Sequence, residues 1–332
     1  MFKKLYILLT VIMLACSSFL LSACSENKVV LTTGFSSNEA FKVGSEKASV
    51  TELTLYLTNI ANTYKAVYGE ELWTMPVSDN ATMWDSLKEL AIAQLSQVKA
   101  MKLLAAQHEV VLTEEEEARV KASANAYLNT LSETEKEAFG IQNGAVLEQI
   151  YAEKLLADKL YAYLIRDVNP EISDDEARII TVQHILLKTY SQALEVRELA
   201  VNGESFDALI SKYSDDTKGT YSFGKGEMEE AFEKAAYALA TEEISPVVET
   251  THGYHIIKCI STLDREQTDL NKVKLLISRK QEVFGDTYNQ FVAGLEKQEN
   301  AEVLNTLTIP ETGVDTAELF EVYEKELGSL FD

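Results

Sequence analysis

Proline and glycine are scarce in this chain, four and 14 residues out of 332. That excludes a collagen-like repeat and a chain made mostly of Gly/Pro-rich linker. Cysteine is scarcer still. Three residues cannot build a disulfide framework, and they lack the paired spacing of a structural zinc site, so no metal is expected. Basic residues are outnumbered, 30 against 53 acids, for a formal net charge of −23. Phosphate-backbone binding rests on Lys and Arg, so nucleic acid is excluded as a partner. With 46% hydrophobic and 25% charged residues, the composition is still that of a globular chain and not of a disordered acidic tail. Its length favours about two domains.

The one long apolar run stands at the start. Lys3 and Lys4 precede an apolar stretch from Leu5 to Leu21, broken only by small polar residues. Leu21-Ser22-Ala23-Cys24 follows, and then the polar Ser25-Glu26-Asn27-Lys28. This is the layout of a secretory signal peptide. The small residues before Cys24 resemble a bacterial lipobox, so residues 1–23 read as the signal and Cys24 as the lipidated residue, carrying palmitate-like acyl chains. A plain transmembrane anchor is the alternative, but the run is short for the roughly 20 residues a spanning helix needs. Acyl chains contribute about 0.8 kcal/mol per buried CH₂ and would hold the protein to the extracytoplasmic face of the cell membrane. Cys16 leaves with the signal, and Cys259 is then the one free thiol.

Residues 24–40 are small and polar and read as a lipidated tether. From Phe41 the pattern becomes helical, and 41–175 reads as an N-terminal helical region. Trp84, Leu87, Ala91, Leu95, Val98 and Met101 recur at three- and four-residue steps and form one apolar stripe. Thr113 with Glu116 and Ser132 with Glu135 are capping-box signals. A further helix is expected from about Val146 to Ile165. After Ser173 the texture changes. Ile179 to Leu187 is β-branched and apolar, which predicts a buried strand. Helices are expected over Ser191–Val201, after Ser205 and over Met228–Leu239. Residues 214–226 read as a loop, and strands are expected over Val247–Glu249 and Tyr254–Ile260 around a turn at His252-Gly253. Residues 266–308 read as a long C-terminal helical stretch packing back on the N-terminal region. Residues 309–332 read as an acidic tail, either frayed or a short amphipathic helix.

The segment from Thr181 to Ile260 resembles the parvulin family of peptidyl-prolyl isomerases. The resemblance rests on Val182-Gln183-His184-Ile185-Leu186-Leu187, Phe206-Asp207-Ala208-Leu209, Tyr213-Ser214-Asp215-Asp216, Phe223-Gly224-Lys225-Gly226-Glu227-Met228, Phe232-Glu233-Lys234-Ala235-Ala236-Tyr237, Glu243-Ile244-Ser245-Pro246-Val247-Val248 and Gly253-Tyr254-His255-Ile256-Ile257-Lys258, in family order. It implies an α+β fold: a parvulin-like module at 176–265, with a small four-stranded antiparallel sheet and surrounding helices, inserted between N- and C-terminal helical chaperone-like regions. It also implies a proline pocket formed by Phe223, Met228 and Phe232. His184 and His255 would pair in adjacent strands as neutral rings, with Asp216 at the pocket edge and Thr250 near the histidines as the rest of the catalytic group. No cofactor is implied. Thr220 stands where the family's pocket leucine would be, within Lys218-Gly219-Thr220-Tyr221-Ser222, and implies a wetter pocket. His252 is a turn residue and receives no role. Only Lys188 is available as a basic residue after the first strand, so phosphoserine recognition is not expected. With its lipobox and flanking helices, the whole layout resembles the PrsA-like foldase lipoproteins of Gram-positive bacteria.

Two functions follow as expectations. One is a surface-anchored isomerase acting on X–Pro bonds of unfolded or partly folded secreted polypeptides. The other is a non-catalytic holdase chaperone whose parvulin module is weak or inert. The oligomeric state is not legible in the sequence.

Overall fold

The structure is a computed structural model describing residues 29–31, 34–79, 81–141 and 143–331. The expected signal peptide and Cys24 lie outside the described residues. In chain order the strands are β1 (Val29–Leu31), β2 (Glu39–Val43), β3 (Glu46–Ser49), β4 (Pro76–Ser78), β5 (Ala81–Thr82), β6 (Ile180–Leu187), β7 (Thr220–Phe223), β8 (Val248–Thr250), β9 (Gly253–Ser261) and β10 (Lys297–Glu299). The helices used below are α1 (Val50–Tyr68), α2 (Met83–Gln107), α3 (Glu114–Thr130), α4 (Glu133–Ala138), α5 (Ala145–Ile165), α6 (Asp174–Ala177), α7 (Tyr190–Val201), α8 (Phe206–Tyr213), α9 (Glu230–Tyr237), α10 (Arg265–Val292), α11 (Ala301–Leu304) and α12 (Leu319–Glu326). They form two compact units. One joins residues up to Asp167 with those from Val283 onward, and the other spans 168–282.

The first unit is mainly helical. Its helices start where the chemistry directs: Ser49, Thr82, Thr113 and Ser132 each accept a hydrogen bond from the backbone N–H three residues on, and a carboxylate there returns it. The α2 stripe is buried at Trp84, Leu87, Ala91, Leu95 and Met101. Lys99 lies four residues beyond Leu95 on that same inward face and is completely buried. Its ammonium is 2.5 Å from Glu52 on α1 and 2.6 Å from Glu153 on α5. One cation therefore ties three helices together. Lys102 adds a second contact to Glu153 at 3.0 Å.

One expectation is corrected here. Residues 29–31 and 39–43 are not a tether running into a helix. They are strands of a four-stranded sheet ordered β1-β10-β2-β3, in which β1 lies parallel to β10 from the far end of the chain. That pairing is non-local, and no local composition announces it. Of the two alternatives for residues 309–332, a frayed tail or a short amphipathic helix, the structure shows a helix. Their α12 buries Leu319 and Tyr323 completely, and Tyr151 Oη donates to the Leu319 carbonyl at 2.7 Å. No helix among the described residues is long and apolar enough to cross a membrane.

The second unit is built on an antiparallel sheet ordered β7-β6-β9-β8. Side chains alternate across a strand. In β6, Ile180, Val182, His184 and Leu186 share one face, while Ile185 and Leu187 share the other. In β9, His255, Ile257 and Cys259 join the first face and Ile256 the second. The first face packs against α9 through Phe223, Phe232, Ala236 and Leu239, and the second against α7 and α8 through Ala193, Val196, Phe206 and Leu209. Residues 214–226 hold a strand, β7, where a loop was expected, because its short alternation is masked by Ser, Lys and Gly. The unit also extends past 176–265 on both sides. Ile179 N–H is bonded to Thr268 Oγ1 at 3.1 Å, Asn271 Nδ2 to the Ala177 carbonyl at 3.0 Å, and Arg265 to Asp174 at 2.7 Å.

The buried triad around Lys99 gives a testable consequence. Lys99→Met leaves two buried carboxylates without their shared cation and is expected to destabilise the first unit by about 3–5 kcal/mol. Urea unfolding followed by tryptophan fluorescence measures this, because Trp73 and Trp84 are both buried in that unit. A loss below about 1 kcal/mol, the scale of an exposed pair, contradicts it.

Candidate active site

Strand register brings the two histidines together. His184 is paired with Ile257 across β6 and β9, so His255 is its diagonal neighbour on the same face. The rings stack at 5.3 Å with an interplanar angle of 18°, and their Nδ1 atoms are 3.1 Å apart. Thr250 Oγ1 lies 2.8 Å from His255 Nε2. The tight β8–β9 turn makes that contact possible. Gly253 adopts φ +137, and a Cβ there would sit 2.6 Å from the Leu187 carbonyl oxygen, so only glycine fits. At the other end, His184 Nε2 lies 3.0 Å from Asp216 Oδ2. Asp216 also accepts from Tyr221 Oη at 2.8 Å and from the Lys218 N–H at 2.9 Å.

Donor and acceptor counting fixes the direction of this array. A carboxylate can only accept, so His184 donates from Nε2 and its neutral Nδ1 accepts. His255 therefore donates from Nδ1, and its Nε2 accepts from the Thr250 hydroxyl. Electrostatics agree. Burial pushes His184 below the ordinary imidazole range, with Asp216 offsetting only part of it. Burial, followed by the adjacent His184, lowers His255 to about 4. Burial opposes the charge on Asp216, but the bonds from Lys218 N–H, Tyr221 and His184 outweigh it and hold the carboxyl below its usual range. At neutral pH this hydrogen-bonded array thus holds two uncharged rings and one carboxylate.

Above this array is a cleft of about 490 Å³. Its apolar wall is Leu186, Met228 and Phe232, and its polar lining includes His184, Asp216, Tyr221, Thr250 and His255. Phe232 stands nearly perpendicular to both imidazoles, with ring centroids 5.6 and 5.2 Å away. Of the residues singled out from the sequence, His184, His255, Asp216, Thr250, Met228 and Phe232 come together here. Phe223 is buried behind Phe232, at a ring distance of 5.9 Å, and supports the wall from below. Thr220 does not join them. It is exposed on the outer face of β7, while Tyr221 points inward. A shift of one residue exchanges the faces of a strand, so the position assigned by resemblance fell on the wrong side.

Sequence reasoning missed Tyr221, Leu186, Glu227, Glu229 and His252 as lining residues. Alternation with His184 identifies Leu186, and alternation with Phe223 identifies Tyr221. Glu229 carried no such signal. It is held by the N–H and hydroxyl of Thr251 at 3.1 and 2.8 Å, a contact made only when the turn closes over α9. Among the described residues, no group of His, Cys, Asp and Glu could hold a metal ion.

Residues 184–261 match the family described as "Rotamase: PPIC-type PPIASE domain". The chain is 32% identical over 178 residues to Foldase protein PrsA 3 of Bacillus cereus, a match covering 52% of this chain and 60% of that protein. It is 41% identical over 93 residues to Foldase protein PrsA 1 of Listeria monocytogenes, covering 26% of this chain and 32% of the relative. The match therefore spans less than two thirds of the length of either relative. A solved peptidylprolyl isomerase (PrsA) from Bacillus cereus superposes with a TM-score of 0.36 at 23% identity, covering 77% of this chain and all of the other. Motif order, the four-stranded antiparallel sheet and the matched family model make residues 184–261 a parvulin-type peptidyl-prolyl isomerase domain, in a chain that is similar to PrsA foldases over part of their length.

Proposed function

We propose that this protein is an extracytoplasmic peptidyl-prolyl cis-trans isomerase, anchored to the membrane by lipid on Cys24, that assists the folding of secreted polypeptides. The observation that carries the reading is the apolar wall of Met228 and Phe232 standing over a fully hydrogen-bonded pair of neutral histidines. Its partners are unfolded or partly folded chains, and it needs no cofactor.

The chemistry asked of such a site is small. The X–Pro bond resists rotation by about 20 kcal/mol because the amide is conjugated. No covalent bond is made or broken. Rotation proceeds when the twisted, less conjugated amide is bound better than either planar form. The proline ring seats on Met228 and Phe232, with Phe223 bracing the wall. The preceding carbonyl is left to turn beside Asp216. Conjugation puts partial negative charge on that oxygen. A fixed carboxylate nearby disfavours the planar form and favours the twisted one. The histidines hold Asp216 and the cleft floor in place. They need not exchange protons with substrate, and their neutral state spares the apolar cleft a buried charge.

A protease-coupled isomerisation assay on the full mature chain tests the reading. Phe232→Ala is expected to lower kcat/KM about tenfold or more, the equivalent of at least 1.4 kcal/mol of transition-state binding. Truncating a buried aromatic also costs about 3–5 kcal/mol of stability, so circular dichroism must show a folded variant. Undiminished turnover in a folded variant argues against the pocket. If aggregation of an unfolded client is suppressed while no isomerisation is catalysed by the wild type, the holdase function replaces this one.

Anchoring has its own test. Cys24→Ser is expected to move the protein from the membrane pellet to the soluble fraction after cell fractionation. Retention in the pellet contradicts attachment through that residue.

A further inference from the structure

We propose that Glu227 and Glu229, which flank Met228 at the mouth of the cleft, make the site select prolines whose neighbouring residue is Lys or Arg and disfavour acidic or phosphorylated neighbours. This inference rests on the isomerase reading given above.

The cleft lining contains three carboxylates, Asp216, Glu227 and Glu229, and neither lysine nor arginine. Asp216 is spent internally, on His184, Tyr221 and the Lys218 N–H. The other two are partly exposed to solvent. Glu229 is not a swinging surface side chain. Its two oxygens accept from the N–H and the hydroxyl of Thr251, with His252 Nε2 3.3 Å away. Those same bonds, the backbone one first, hold its carboxyl below the ordinary range, so it stays charged at neutral pH. Glu227 accepts from the Gly224 N–H at 3.1 Å. Both carboxylates are thus fixed in place with lone pairs to spare.

The nearby cations do not cancel them. Lys274 is 3.7 Å from Glu227, but its side chain is 75% exposed, and a solvated pair of this kind contributes little. The Lys218 ammonium lies over the Tyr221 ring at 4.4 Å and is not part of the cleft lining. His252 is 73% exposed and uncharged unless protonated.

Geometry supplies the rest. A proline ring seated against Met228 puts the adjoining residues one peptide step away, about 3.8 Å between Cα atoms. Their side chains then reach the rim where the two carboxylates stand. A Lys or Arg stem can lie along the apolar wall and carry its charge to Glu229 or Glu227. An acidic or phosphorylated side chain in that place meets like charge on both sides.

The test uses the full mature chain and three peptides, Ala-Xaa-Pro-Phe with Xaa Lys, Ala or Glu, at low salt. The expected order of kcat/KM is Lys above Ala above Glu, with about tenfold between the extremes. That spread should shrink to about twofold at high salt, where exposed charges are screened within about 3 Å. In a Glu227→Gln, Glu229→Gln double variant the spread should collapse at low salt as well. The measure is a ratio between peptides on the same protein, so partial loss of folded material does not disturb it. Equal turnover of the three peptides by the wild type, or a spread that survives the double substitution, overturns the inference and leaves the isomerase reading intact. Absence of turnover with every peptide overturns the isomerase reading itself.

Discussion

Two imidazoles facing each other through their Nδ1 atoms can share only one proton. If both were protonated, two N–H groups would point at each other across 3.1 Å. The rest of the site depends on this constraint. It forces one ring to accept and calls for a hydroxyl donor at one end and an anionic acceptor at the other, which together assign the tautomer of each. Thr250 and Asp216 meet those requirements. The outcome is a polar chain with every hydrogen accounted for, set beneath an apolar wall that must stay dry to hold a proline ring. A charged floor would work against that wall, and a half-satisfied one would be worse than none.

The sheet makes the arrangement possible at little expense. One face of β6 and β9 carries ordinary core residues at Ile180, Val182, Ile257 and Cys259, and the same alternation delivers His184, Leu186 and His255 to the cleft. The opposite face is packed against α7 and α8, so the strands that bear the histidines are held from behind. The segments leading into and out of the unit are stitched together by Thr268, Asn271 and the Asp174–Arg265 pair. In the first unit the equivalent fixing is ionic, with Lys99 buried between two carboxylates from different helices.

Legibility in the sequence followed locality. The β6 and β9 strands, the α7 and α8 starts, the capping boxes and the burial stripe of α2 are written in neighbouring residues and could be read. The pairing of His184 with His255 was implied by the resemblance to the parvulin family, and strand pattern alone does not give it, since Gln183 and Lys258 interrupt the same strands. Thr220 was misplaced because a four-residue strand inside a Ser/Lys/Gly segment gives too little alternation to fix its register, and Tyr221 took the inward position. The β1-β10 pairing joins the two ends of the chain, and the burial of Tyr323 depends on partners far away in sequence. Lys99 is invisible for the same reason: only the converging carboxylates of Glu52 and Glu153 make a buried lysine tolerable.

The neutral histidine pair is the most exposed part of this account to measurement. The folded pKa of His255 lies near 4, below the 6.5 of a free imidazole, so the unfolded chain binds the extra proton between these values. The stability this supplies is complete above about pH 6.5 and is lost progressively as pH falls toward 4. A ¹⁵N NMR titration of the imidazoles in the full mature chain reads the ring states directly. The account predicts both rings neutral at pH 7, His184 protonated on Nε2 and His255 on Nδ1, and titration of His255 near pH 4. A His255 that titrates near 6.5, or a cationic ring at pH 7, contradicts it.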